Sequence, residues 1–228
     1  MIGIIGGSGL EDFIKADYIY EHNTSPYCFA KIKGVNIVFM SRHGLNHELM
    51  PHEVPYKNNA LKLKQLGCKA IIDLSACGSL RGVIKPGDIV VPDSVVDWTN
   101  RLSSITNEHV SMGEVIDQDL REIILTETDC MGCNSLITIP GPRFSTKAES
   151  KMFRALDLDI INMTTCPFCF MIKELDIPYV VIAMVTDYDS WKPNHFVTIE
   201  EVKAVMKANA KKIMPVLEVI LPIINKEF

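Results

Sequence analysis

The segment "VVIAMVTDYDSW" (180–191) is an apolar run that ends in two carboxylates, Asp187 and Asp189. A strand places residues i and i+2 on one face, so both acids are expected to point into one cleft. Acids at the end of a buried strand suit a partner that donates protons, such as the amino group and ring nitrogen of a purine. An Asx turn or a helix cap at a loop start would use the same spacing.

A second set of residues suits an anion. "SRHG" sets Arg42 beside His43, and a guanidinium fork fits phosphate or carboxylate. "GGSGL" (6–10) gathers backbone N–H groups around the Ser8 hydroxyl, either as an anion nest or as a plain tight turn. It is not a dinucleotide fingerprint, because Asp12 stands where the third glycine would be. "SACGSL" contributes Ser75 and Ala76, and "INMTT" contributes Met163 and Thr164. Phe144, in "GPRFSTKAES", is a flat wall for a base or a core ring. Each feature also has an ordinary use in a turn, a close crossing or a core. His43, His47 and His52 have loop-like spacings interrupted by Pro51, which favours hydrogen-bonded or solvated rings over a metal site.

Positioning such groups requires strands and helices that converge. Continuous apolar runs at 2–5, 36–41, 70–76, 88–93, 135–139, 160–163 and 178–187 predict strands buried on both faces. Helices are predicted at 56–66, 117–127, 146–156 and 166–175. A last helix begins near Thr198, with Glu201 placed for a capping box and kinks expected at Pro215 and Pro222. The pattern predicts a single α/β domain over 1–228, with helices on both sides of a central mixed sheet. Ligands in such sheets bind beyond the carboxyl ends of strands, where these residues were found.

Composition narrows the class. The 228 residues are 47% hydrophobic and 22% charged, with net charge −5 and no basic block, so neither nucleic acid nor a membrane is an expected partner. No apolar run approaches the length of about 20 residues that spans a bilayer, and the start is not expected to act as a signal peptide. The cysteine count of 7 points to reduced thiols in a cytoplasm. "CMGC" (130–133) and "CPFC" (166–169) have C-x-x-C spacing, which serves zinc or redox chemistry but is equally met by packed thiols.

Taken in order, "IGIIGGSGL", "SRHGLNHELMPHEVPY", "LSACGSLRGVIKPGDIVVPD", "GPRFSTKAES", "INMTTCP" and "IAMVTDYDSW" resemble the trimeric purine nucleoside phosphorylases, and within them the 5′-methylthioadenosine phosphorylases. The resemblance covers nearly the whole chain. It implies a three-layer phosphorylase/hydrolase-like fold, a homotrimer, no metal or organic cofactor, and inorganic phosphate as co-substrate. It implies a phosphate site of Ser8, Arg42, His43, Ser75, Ala76 and Thr164. Met163 would lie on the ribose, with Phe144 and Ser145 against the base. Asp187 and Asp189 would meet the base at N7 and its 6-amino group, Asp187 acting as general acid. The aspartate pattern implies an aminopurine rather than a 6-oxopurine. Ile199 and Val202 would line the 5′-methylthio pocket.

The chain departs from the family pattern in several places. Phe168 stands where the family usually has Glu, and Pro55 where it often has Asn. The 98–135 segment is shorter than usual, with His109 as the remaining candidate for reaching a neighbour's site. The C-terminal part that closes the 5′ pocket is also shorter. Plain adenosine also fits as a substrate, and other readings fit the same residues less fully: a 6-oxopurine nucleoside phosphorylase, a phosphate-independent nucleosidase, a nucleoside-binding relative impaired in catalysis, and a zinc or redox protein.

Overall fold

The computed structural model describes residues 1–10, 13–193 and 197–228, so Asp12 lies outside the described residues. The strands are β1 (Ile2–Gly6), β2 (Tyr27–Ile32), β3 (Val35–Ser41), β4 (Ala70–Ser79), β5 (Ile89–Asp97), β6 (Met131–Thr138), β7 (Ile160–Asn162) and β8 (Tyr179–Asp187). The helices are α1 (Tyr56–Gln65), α2 (Gln118–Glu127), α3 (Lys147–Ala155), α4 (Phe168–Glu174) and α5 (Ile199–Glu227).

One mixed sheet holds these strands in the order β2-β3-β1-β4-β7-β6-β5-β8, and β8 returns to pair with β4. Pairing therefore closes on itself through β4, β7, β6, β5 and β8, while β1, β3 and β2 extend from β4 as a wing. β4 joins the two parts, running parallel to β1 on one side and β8 on the other. The Ile, Leu and Val residues of these three strands are fully buried, Ile4, Ile72 and Ile182 among them. Two helix pairs, α1 with α4 and α2 with α5, pack against the strands.

Several expectations need correction. β2 was not predicted: it is an antiparallel edge strand whose mixed composition leaves Phe29 exposed. β4 does not end near residue 76 but continues to Ser79, with a register shift at Cys77/Gly78. Small side chains permit this, because a Cβ on Gly78 would lie 2.8 Å from Asp187 Oδ1. β5 runs on to Asp97 through Pro92; β8 pairs only with Ile89 and Val90, so Pro92 forfeits no bond on that side. α4 begins at Phe168, leaving Cys166 outside the helix. α5 is a continuous element through Pro215 and Pro222, and the Thr198 hydroxyl accepts from the Glu201 N–H at its start.

Candidate active site

A cavity of about 380 Å³ opens where β1, β3, β7 and β8 end beside the middle of β4. That size suits a small organic ligand. Every site residue expected from the sequence lines it. Ser8, Arg42, His43, Ser75, Ala76 and Thr164 contribute, as do Phe144, Ser145 and Met163, Asp187 and Asp189, and Ile199 and Val202 from the first turns of α5. His109 is exposed and is not part of this lining.

The anion-suited end is built around Arg42, which is almost completely buried. Arg42 leaves the end of β3 and crosses β1 toward β4. The crossing depends on Gly7, where a Cβ would come within 2.8 Å of Arg42 Nη1. Nη1 donates to the Thr164 hydroxyl at 3.1 Å, Nη2 pairs with the Asp73 carboxylate, and buried Nε has no hydrogen-bond partner. His43 Nδ1 lies 2.7 Å from the Leu49 carbonyl. A carbonyl only accepts, so Nδ1 carries the hydrogen and a neutral ring offers Nε2 as acceptor. Asn162 donates to the hydroxyls of Ser75 at 2.8 Å and Thr165 at 2.7 Å, and accepts from Thr138 at 2.9 Å.

The acidic end is built differently from the sequence argument. Asp187 closes β8, but Asp189 lies beyond the strand, in a 3-10 turn (Asp189–Trp191) with φ +50°. The Asp189 N–H donates to Asp187 Oδ1 at 2.7 Å, which is Asx-turn geometry. Strand alternation therefore does not bring the acids together; a turn does, and both still line the cavity. Ser145 donates to Asp189 Oδ1, while Asp189 Oδ2 is buried with no partner. The Thr186 hydroxyl lies 2.7 Å from Asp187 Oδ2 and 3.1 Å from the Cys77 carbonyl.

β4 is the floor between the two ends. Leu74 accepts from the Gly7 N–H at the anion end, and Gly78 pairs with Asp187 at the other. At about 3.3 Å per residue, the interval from Ser75 to Gly78 is on the order of 10 Å.

Several contributing residues were not singled out from sequence. Asp73 and Tyr179 hold Arg42 from behind, Asn162 orients Ser75, and Thr186 supports Asp187. Arg101 clamps two segments by donating to the carbonyls of Met163 at 2.9 Å and Cys166 at 3.2 Å. Lys203 stands in the lining beside Val202. Asp73 alone gave a sequence signal, as a charge inside the apolar run "AIIDL".

All seven cysteines are free, and Cys166 and Cys169 Sγ lie 3.6 Å apart. Burial pushes Cys77 and Cys169 well up and Cys133 up to about 12, which disfavours the thiolates that zinc or redox chemistry uses. Among the described residues no group of His, Cys, Asp and Glu is placed to hold a metal ion. No described helix is long and apolar enough to cross a membrane.

Residues 1–222 match the model of the phosphorylase superfamily. The S-methyl-5′-thioadenosine phosphorylase of Pyrococcus abyssi is 40% identical over 244 residues, covering 99% of this chain and 93% of the relative. That of Danio rerio is 39% identical over 245 residues, covering 97% and 88%. Among solved structures, methylthioadenosine phosphorylase from Schistosoma mansoni in complex with adenine superposes with a TM-score of 0.91 at 30% identity, covering 100% of this chain and 92% of that one. A single-site variant of the Schistosoma mansoni enzyme, in complex with methylthioadenosine, gives a TM-score of 0.89 at the same identity. The chain therefore belongs to the phosphorylase superfamily and, within it, to the family of the S-methyl-5′-thioadenosine phosphorylases.

Proposed function

We propose that the protein cleaves the N-glycosidic bond of 5′-methylthioadenosine with inorganic phosphate, giving adenine and the 5-methylthioribose 1-phosphate. The observation that carries this reading is one cavity lined both by the buried Arg42 guanidinium and by the Asp187–Asp189 pair, with β4 running between them. Phosphate held by Arg42, Thr164, Ser75 and Ser8 lies against the anomeric carbon. Its charge stabilises the oxocarbenium-like sugar, and an oxygen then forms the new bond. Electrons of the broken bond pass to the purine, whose N7 is protonated or hydrogen-bonded by Asp187.

Thr186 orients Asp187 for that role. Thr186 has one hydroxyl hydrogen but lies within bonding distance of two oxygens, the Cys77 carbonyl and Asp187 Oδ2. That hydroxyl is shared between the two acceptors and holds the Asp187 carboxyl in place. The unpartnered Oδ2 of Asp189 is an acceptor suited to the 6-amino group. Phe144 walls the base and Met163 lies toward the ribose, while Ile199 and Val202 offer an apolar seat for the methylthio group.

The same reading includes a homotrimer without metal or organic cofactor, working in the cytoplasm, where free thiols persist. Adenine release from methylthioadenosine, adenosine and inosine, measured with and without phosphate, tests it. Expected is phosphate-dependent turnover, strong for methylthioadenosine and weak for inosine. Equal release without phosphate would establish a nucleosidase instead.

A further inference from the structure

The resemblance implies a carboxylate at residue 168, directly after "TTCP", where this chain has Phe. The Phe168 side chain is fully buried and meets the Tyr179 ring edge-on, with centroids 6.0 Å apart. On its far side the Tyr179 hydroxyl donates to Asp73 Oδ2 at 2.5 Å. Asp73 Oδ1 pairs with Arg42 Nη2. Both Asp73 oxygens are thus committed, and the residue has no solvent exposure.

This chain of contacts has a physical requirement behind it. Arg42 is buried whether or not an anion occupies the cavity, and a guanidinium buried without a counter-charge is strongly disfavoured. A substrate anion comes and goes, so a resident carboxylate must balance Arg42 between turnovers. Asp73 fulfils that role from β4, inside an otherwise aliphatic strand. Burial first, and then the Asp73 charge, hold the Tyr179 phenol well above its ordinary pKa, so it remains a donor. With Nη1 on Thr164 and Nη2 on Asp73, the guanidinium plane is fixed and its Nε–H edge is left unpartnered.

We propose that Asp73, steadied by Tyr179, is the positioning residue for the anion-binding Arg42, and that it supplies from β4 the buried carboxylate that position 168 no longer provides. The inference rests on the phosphorylase reading of the cavity. It makes Asp73 and Phe168 a coupled pair: an apolar residue at 168 is tolerated because the acid stands at 73, and an acid at both would put two carboxylates around one guanidinium.

The test is steady-state kinetics with phosphate and methylthioadenosine varied separately, on the full chain. Asp73→Asn keeps the shape and removes the charge. Its phosphate KM is expected to rise roughly 10- to 100-fold, the loss of a charged hydrogen bond, with the nucleoside KM changed by less than about threefold. Adding Phe168→Glu to Asp73→Asn is expected to recover part of the phosphate affinity, while Phe168→Glu alone weakens it. An unchanged phosphate KM in Asp73→Asn, or equal rises in both KM values, overturns the positioning role. Additive losses in the double variant overturn the exchange between 73 and 168. Should Asp73→Asn fail to fold by circular dichroism, Tyr179→Phe carries the same test, with a smaller rise in phosphate KM expected and no rise overturning the proposal. The wild-type assay separates the two levels. Adenine release without phosphate would refute the phosphorylase reading itself, whereas phosphate-dependent wild type with unaffected variants refutes only the role of Asp73.

Discussion

At the scale of residues, the site rests on partners that its principal groups cannot do without. Asp187 is held by the Asp189 N–H and by the Thr186 hydroxyl, which also reaches the Cys77 carbonyl. Asp187→Asn keeps the hydrogen-bonding shape but replaces a transferable acidic proton with an amide. If Asp187 acts as general acid, kcat on methylthioadenosine should fall by about 10²- to 10⁴-fold, with a small change in phosphate KM. Single-turnover release of adenine measures the chemical step directly, and near-normal release would remove the assigned role.

At the scale of elements, α3 is the part that sets Ser145 against Asp189. Its start is a complete capping box. The Thr146 hydroxyl accepts from the Glu149 N–H at 3.1 Å, and the Glu149 carboxylate accepts from the Thr146 N–H at 2.7 Å. Arg143 donates to both Glu149 oxygens, at 2.7 and 2.8 Å. The Arg143 hydrogen bond, followed by that of the Thr146 backbone, lowers the Glu149 carboxyl to about 2. A depressed carboxylate contributes stability above its unfolded pKa and loses it as pH falls through the folded one. The Glu149 contribution is therefore complete at neutral pH and disappears between about pH 4.5 and 2. Thr146→Ala is expected to cost about 1 kcal/mol. Glu149→Gln should lower the thermal midpoint at neutral pH and lessen its decline over that acid interval. Calorimetry across pH checks both, and an acid profile parallel to wild type would exclude this contribution.

At the scale of the whole molecule, the chain leaves apolar surface near the site. Trp98 is 50% exposed and Leu102 70% exposed, and Trp98 packs edge-on against Phe153 of α3. Leu156, at the end of α3, is also exposed. Apolar surface of this kind suits a subunit contact, in keeping with the proposed trimer. Sedimentation equilibrium is expected to give three times the chain mass of 25.5 kDa, and Trp98→Glu to shift the distribution toward smaller species. A monomeric wild type would refute the trimer.

The sequence by itself determined much of this protein. Continuous aliphatic runs specified buried strands, because only a strand covered on both faces tolerates such runs, and their alternation with helices specified the α/β class. Ordered short motifs named the residues that line the cavity. Tertiary structure decided the rest, since pairing partners far apart in the chain are not encoded in local pattern. It continued β4 through the site, because Gly78 leaves room for Asp187, and it joined the two acids by a turn rather than a strand face. It also brought Asp73 to Arg42 across β1, where the missing Gly7 side chain opens the way. The charge at Asp73 was visible in the sequence, but the guanidinium it serves became visible only once the strands were side by side.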